Sequence, residues 1–222
     1  MQTLSQPSAA TARSSFFQAR LASALAIAPL GVWTVVHLWH NLSAFDGSDA
    51  WEHAVTGYAH PFAEAAASIA VLLPLAIHTV WGIARLASSR PNNLRYRYYG
   101  NLKYLLQRLA AVGVLFFLGA HLWLAMIHPR VVEGHPETYA DIAQHMHFHG
   151  PTLAVYILGT LGVAYHLANG LQVACMGWGV VSSRRGLRRL VWTAIAFFVV
   201  LLTMSWAAIY ALWAAGAAAP PA

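Results

Sequence analysis

Long apolar runs separated by short polar stretches make up most of the chain. Each run is long enough to cross the hydrocarbon core of a bilayer as an α-helix, which takes ~20 residues. Pro29 and Pro74 fall inside the first two runs, and membrane helices tolerate internal proline better than soluble helices do. The pattern predicts an all-α membrane protein with five transmembrane helices, over residues 20–43, 63–87, 106–128, 151–176 and 188–214.

The start of the chain does not share this pattern. Residues 1–14 are polar, rich in Ala, Ser and Thr, and contain no acidic residue. We therefore expect a short disordered arm over 1–14, followed by a single five-helix domain over 15–222.

Composition supports a membrane protein and excludes a soluble one. Hydrophobic residues make up 59% of the chain and charged residues only 9%, whereas about a quarter of a soluble domain is charged. Cys175 is the single cysteine, so the chain can form neither an internal disulfide nor a cysteine-ligated iron–sulfur cluster.

The charged residues sort by side of the membrane. Arg130 is the only one of the 13 basic residues that falls on the same side as the seven acidic residues. Because basic residues favour the cytoplasmic side, the N-terminus is predicted in the cytoplasm and the C-terminus outside. The net charge of +6 therefore indicates contact with the lipid surface or a cytoplasmic partner, and not with nucleic acid.

Four histidines lie well inside the predicted spans, one in each of the first four. Ionisable residues inside a bilayer are costly and mark functional sites. His37 and His121 each lie nine residues before the first charged residue beyond their spans, so they share a depth near the outer face. His78 and His166 follow the starts of two inward-running spans by similar distances, so they share a depth nearer the cytoplasm.

Two imidazoles from facing helices at one level of a bundle satisfy the ligand requirement of a bis-histidine haem. The first four helices are therefore predicted to form a bundle that binds two haems. Hydrogen bonding between helices is the plainer explanation for any single histidine, but four of them matched in depth disfavour it. Zinc is disfavoured because a structural zinc needs four ligands together.

The segments around these histidines resemble a known family. They are AIAPLGVWTVVHLWHN around His37, LLPLAIHTVWGI around His78, YYGNLKYLLQRLAAVGVLFFLGAHLW around His121 and YHLANGL around His166. In order and spacing they are similar to the dihaem cytochrome b membrane anchor of succinate:menaquinone oxidoreductases (succinate dehydrogenase and fumarate reductase). The QR before the third span and the HxxNG of the fourth are specific when found together.

The resemblance implies an assignment for each pair and a set of partners. His37 and His121 would ligate a distal haem b, and His78 and His166 a proximal haem b. A flavoprotein subunit and an iron–sulfur subunit would dock on the cytoplasmic face of a bacterial cytoplasmic membrane, and the whole complex could oligomerise. Electrons would pass from succinate through those subunits and the two haems to menaquinone. The chain would thus be the quinone-reactive subunit of an enzyme, without a flavin or succinate site of its own.

Further site residues are expected at the two ends of the bundle. Haem propionates favour basic and hydroxyl side chains, and the candidates for the proximal haem are Arg20, Ser23, Lys103, Tyr104 and Arg108. Glu64 is the candidate for proton exchange with quinone, although a carboxylate at a helix start is also stabilised by the helix dipole. The residues expected near the quinone are His40, Asn41 and His60.

Two alternative functions and one further metal site stay open on sequence alone. The chain could be the dihaem cytochrome of another respiratory enzyme, such as a hydrogenase or a formate dehydrogenase, or a haem-free structural anchor. His145, His147 and His149 form an HxHxH run in a predicted outer loop, where such a run could bind a metal.

Overall fold

The computed structural model describes residues 17–18, 20–57, 60–89, 92 and 95–218, so the predicted arm over 1–14 lies outside the described residues. Five long helices and two short ones form the described part, and no strand occurs there. The long helices are α1 (Arg20–Asp46), α3 (Pro61–Ala87), α4 (Tyr99–Glu133), α6 (Gly150–Gly177) and α7 (Arg184–Gly216). The short helices are α2 (Ser48–Val55) and α5 (Tyr139–Phe148). All five long helices are long and apolar enough to span a membrane, which confirms the all-α fold of a multi-pass membrane protein.

The long helices extend beyond the apolar runs that predicted them. The largest difference is in α4, which begins at Tyr99 and not near residue 106. Polar residues outside the hydrocarbon core continue the helical hydrogen bonds, and capping side chains then set the ends. Ser183, for example, accepts a hydrogen bond from the Gly186 amide at 3.1 Å at the start of α7.

Two of the long helices contain wide π-helical turns. In α1 the π segment is Ala26–Gly31 and includes Pro29, while α4 has π segments at Trp123–Ile127 and Pro129–Glu133. Proline donates no amide hydrogen and displaces the preceding turn, which loosens the regular i to i−4 pattern. Such turns often occur at functional sites, and the one at Trp123 begins two residues after His121.

Packing between the long helices is uneven. Helix α6 packs against both α4 and α7, and α1 packs against α7. Helix α3 contacts the first part of α1 and touches α4 only slightly, and no described residue of α3 is buried. A space is therefore left between α3 and the other helices of the four-helix part, which we define as α1, α3, α4 and α6.

The two ends of the molecule differ in charge and in packing. The acidic end contains α2, α5 and the segments joining the first to the second span and the third to the fourth. A buried core lies at this end, where Trp51 of α2 and Met146 of α5 pack with Leu212 of α7. We call the opposite end, which contains most of the arginines, the basic end.

The HxHxH run does not form a loop. His145 and His147 lie in the last turn of α5, so the loop prediction is wrong. Residues two apart on a helix point in different directions. The Nδ1 of His147 lies 2.9 Å from the Trp213 carbonyl oxygen and the Nδ1 of His149 lies 2.7 Å from the Thr152 hydroxyl. These contacts attach α5 to its neighbours.

Candidate functional site

A cavity of about 880 Å³ occupies the space within the four-helix part. Its volume is near the upper end of the ~300–1,000 Å³ that is typical of ligand sites. All four in-span histidines line it, and its walls are otherwise mainly apolar. The candidate site is therefore a single cavity with two histidine levels.

The first histidine pair joins α1 to α4. The ring centres of His37 and His121 are 5.9 Å apart, and the ring planes are inclined by 69°. Aromatic neighbours stack on both rings: Trp33 lies 5.9 Å from His37, and Phe117 lies 5.5 Å from His121.

The second pair joins α3 to α6. The ring centres of His78 and His166 are 6.2 Å apart, with the planes inclined by 74°. Each pair thus brings together two helices that are not neighbours in sequence, in the combinations expected from depth.

Hydrogen bonds hold the His121 ring and the backbone of α1 at His37. The Tyr156 hydroxyl, which is buried in α6, lies 3.1 Å from His121 Nδ1. On the other side, the Asn41 amide donates to the His37 carbonyl at 2.8 Å, and the Trp51 indole donates to Asn41 Oδ1 at 3.3 Å. This network connects the first pair to the buried core of the acidic end.

A pair of amide side chains lies beside His166. Gln107 Nε2 is 3.1 Å from His166 Nδ1 and donates to the His166 carbonyl at the same distance. Asn169 Nδ2 donates to Gln107 Oε1 at 2.8 Å. Both residues belong to the motifs that carried the family resemblance, QR and HxxNG, but their contact could not be read from either motif alone.

The predicted propionate residues divide into two groups. Arg20, Ser23 and Arg108 line the cavity at the basic end, whereas Lys103 and Tyr104 do not. Lys103 donates to Gln172 at 2.5 Å, and the Tyr104 ring lies under the Arg108 guanidinium.

Arg85 is a cavity residue that the sequence analysis missed. It lines the basic end of the cavity and stacks at 4.8 Å on the ring of Trp81. A signal was available, because Arg85 follows His78 by seven residues and residues seven apart share one face of a helix.

The predicted quinone residues also divide at the acidic end. Glu64 and Asn41 line the cavity, whereas His40 and His60 are exposed and do not. His60 instead caps α3, accepting a hydrogen bond from the Phe62 amide at 3.1 Å. Glu64 accepts a hydrogen bond from Arg130 Nε at 2.9 Å, so it forms an ion pair with the only basic residue expected on its side.

Glu137 is a second carboxylate at the acidic end, and the sequence analysis gave it no role. It lies between α4 and α5, lines the cavity and is only 5% exposed. Burial raises the pKa of the Glu137 carboxyl to about 7, and the nearby carboxylates of Asp141 and Glu133 act in the same direction. No sequence signal marks it, because its burial depends on how the segment before α5 folds back.

Known proteins resemble the chain over most of its length. The family model for the succinate dehydrogenase/fumarate reductase transmembrane subunit matches residues 88–203, just over half of the chain, and this region includes His121 and His166. The succinate dehydrogenase cytochrome b558 subunit of Bacillus subtilis (strain 168) is 29% identical over 201 residues, which cover 88% of this chain and 96% of that protein. The chain therefore belongs to the family of succinate dehydrogenase/fumarate reductase transmembrane subunits.

Proposed function

We propose that this chain is the membrane anchor and electron-transfer subunit of a succinate:quinone oxidoreductase. In this function it binds two b haems, each between two histidines, and passes electrons between an iron–sulfur subunit and menaquinone. The observation that carries the proposal is the presence of two cross-helix histidine pairs in one cavity. Family membership supports the choice of enzyme.

The spacing within each pair fits an iron atom between the rings. A bond of ~2 Å from metal to imidazole nitrogen on each side, plus ~1 Å from that nitrogen to its ring centre, gives ring centres ~6 Å apart. The observed separations are 5.9 Å for His37 and His121 and 6.2 Å for His78 and His166. Two histidines at each level would suffice to hold a haem, whereas a structural zinc would need further ligands.

When bound, the haems would supply one-electron carriers at two levels of the membrane. The protein's own contribution is to hold one ring of each pair in a fixed orientation. Tyr156 supports His121, and Gln107 supports His166. Outer hydrogen bonds of this kind orient metal-binding histidines and tune the metal.

The basic end of the cavity suits the anionic groups of a haem. Arg20, Arg85 and Arg108 line it, together with Ser23. Guanidinium groups bind carboxylates through paired, charge-assisted hydrogen bonds. We assign these four residues to the propionates of the proximal haem. Lys103 and Tyr104 would act less directly, through Gln172 and Arg108.

The acidic end suits a quinone near the distal haem. Asn41, Glu64 and Arg130 provide polar groups on an otherwise apolar wall, as expected for a ligand with polar carbonyls and an apolar body. His40 and His60 lie outside this wall and would contribute only at its rim. Glu64 remains a candidate for proton exchange, although its Oε1 is already bound by Arg130.

The basic end also suits the hydrophilic partners. Positive-inside orientation would turn it toward the cytoplasm, where a flavoprotein and an iron–sulfur subunit would dock and deliver electrons to the His78–His166 level. A dihaem cytochrome of a hydrogenase or formate dehydrogenase would instead purify with different subunits, and a haem-free anchor would show no haem spectrum.

The test is to purify the complex through a tag on this chain and add succinate. The proposal predicts that a flavoprotein and an iron–sulfur subunit purify with the chain, that succinate reduces the haems, and that a naphthoquinone is then reduced. Replacing His78 by Ala should remove the haem of one level and stop quinone reduction.

His53→Ala is the matched control, because His53 is exposed on α2 and away from the cavity. It should keep the haem content and the quinone reduction of the wild type. Full haem content and full quinone reduction in the His78→Ala complex would contradict the proposal.

A further inference from the structure

Glu137 has an unusual environment for a carboxylate. It is 5% exposed, and its Oε1 is buried with no hydrogen-bond partner among the described residues. A buried carboxylate is normally paired or fully hydrogen-bonded, since an unpaired one is costly. Such an exception calls for an explanation, and a catalytic role is one of those that apply.

The position of Glu137 connects the cavity to the surface. On the inner side it lines the cavity together with Arg130 and interacts electrostatically with Tyr156, whose hydroxyl lies beside His121. On the outer side lie Glu133, His135 and Asp141. One carboxylate oxygen or ring nitrogen from each of them lies within 4.8 Å of the others. Glu133 and His135 are exposed, so protons from water can reach this group.

Glu64 is less suited to the same task. Arg130 donates to its Oε1 from both Nε and a terminal nitrogen, so this oxygen is already engaged in an ion pair. Arg130 also faces Glu137, but no hydrogen bond between them occurs in the described part of the chain. Of the two cavity carboxylates at the acidic end, Glu137 is therefore the one without an ion pair in the described part of the chain.

We propose that Glu137 is the carboxyl group that exchanges protons with a quinone bound at the acidic end of the cavity. This inference rests on the proposed function, which supplies the two electrons. As the quinone gains them, the Glu137 O–H bond breaks and the proton passes to one quinone oxygen. The carboxylate then regains a proton from water through the Glu133, His135 and Asp141 side. The second quinone oxygen takes its proton from water, so that two electrons and two protons yield the quinol.

The acid–base properties of Glu137 agree with this role. Its pKa is raised to about 7, first by burial and then by Asp141 and Glu133, while His135 and Arg130 act in the opposite direction. A general acid or base works best when its pKa lies near the working pH. Because the donor must be protonated, quinone reduction should slow as the pH rises through about 7.

The experiment compares Glu137→Gln with wild type in the purified complex, using succinate as donor and a water-soluble naphthoquinone as acceptor. Loss of a general acid typically costs ~10²-fold or more, so we expect the variant to be about 10²-fold slower and to lose the fall in rate near neutral pH. The haem content, and the reduction of haem by succinate without quinone, should stay at the wild-type level.

Asp46→Asn is the matched control, because Asp46 is an exposed carboxylate at the same end; it should keep the wild-type rate and pH profile. A Glu137→Gln complex with the wild-type rate and pH profile would overturn the inference. If the proposed function itself were wrong, the wild-type complex would fail to reduce either haem or naphthoquinone.

A second measurement covers the case in which Glu137→Gln does not assemble. The redox-induced infrared difference spectrum of the wild type should contain a protonated-carboxyl band at neutral pH, and Glu137→Asp should shift its frequency. An unchanged band in Glu137→Asp would overturn the inference.

Discussion

The amides of Gln107 and Asn169 bear directly on which nitrogen of His166 is available to a metal. An iron bond at Nε2 requires the ring proton to reside on Nδ1, which must then donate to an acceptor. Gln107 Nε2 lies 3.1 Å from that nitrogen, and Asn169 Oδ1 is buried without a partner among the described residues. Rotating both amides by a half-turn would place Gln107 Oε1 against Nδ1 and pair Asn169 Oδ1 with the Gln107 amide, but it would also replace the hydrogen bond to the His166 carbonyl by a contact between two oxygens.

This geometry leads to a prediction for Gln107. Gln107→Leu removes the amide that contacts both the ring and the carbonyl of His166, so we expect a shifted midpoint potential and weaker retention of the haem at that level. The loss of affinity should be ~10–100-fold, as for other outer-shell partners of metal ligands. Redox titration and haem release into a scavenger measure the two effects.

Thr193→Val is the control for Gln107→Leu, because Thr193 is exposed on α7 and its hydroxyl bonds only to the Arg189 carbonyl among the described residues. It should change neither quantity. If Gln107→Leu left both haems at their wild-type potentials and affinities, Gln107 would have no positioning role.

The site residues differ in how far the sequence could predict them. His37 and His121 could be paired from their distance to the span ends, because depth in a membrane follows from residue count along a helix. To predict Arg85 and Tyr156 as site residues, one would need the rotation of each helix about its axis. The residue count along a helix gives depth but not this rotation. To predict the burial of Glu137, one would need the path of the segment before α5. The hydrophobic pattern contains no information about this path.

At the scale of helices, the contact between α4 and α6 determines where His121 lies. Gly159 of α6 faces Phe117 of α4, and a Cβ at position 159 would lie 2.8 Å from the Phe117 Cβ. Phe117 in turn stacks on His121 and contacts Tyr156. A glycine is therefore required at position 159, where α6 packs against the Phe117 side chain.

Gly159→Ala is expected to push α4 away from α6. Inserting a methyl group into a tightly packed contact costs ~1–3 kcal/mol, and the displaced Phe117 would disturb His121. Thermal loss of the haem absorbance should occur at a lower temperature than in the wild type. Gly113→Ala is the control, since an added Cβ there meets nothing within 4 Å; equal thermal stability of the two variants would contradict this account.

The helices themselves could be predicted well, because long apolar runs have few other structures available in a bilayer. The helix ends were less predictable. Helix α4 begins at Tyr99, among residues that are too polar to belong to the apolar run that predicted the span. Helix α5 was missed because it is short and polar at its end. Its contact between His147 and Trp213 joins residues distant in sequence, so the local pattern does not indicate it.

At the scale of the whole molecule, helix α3 differs from the other long helices in packing only weakly against its neighbours. None of its described residues is buried, although it carries His78 and is long enough to span the membrane. It borders a cavity of about 880 Å³, and under the proposed function the haems in this cavity would complete its packing. The two ends of the cavity differ in charge, with Arg20, Arg85 and Arg108 at one end and Glu64 and Glu137 at the other.

The proposed function depends above all on two haems held between paired histidines. A reduced-minus-oxidised spectrum of the purified complex, combined with a haem-to-protein ratio, tests it most directly. We expect a b-type spectrum and two haems for each copy of the chain. One haem would mean that one of the pairs, His37 with His121 or His78 with His166, is not a ligand set, and no haem would contradict the account altogether.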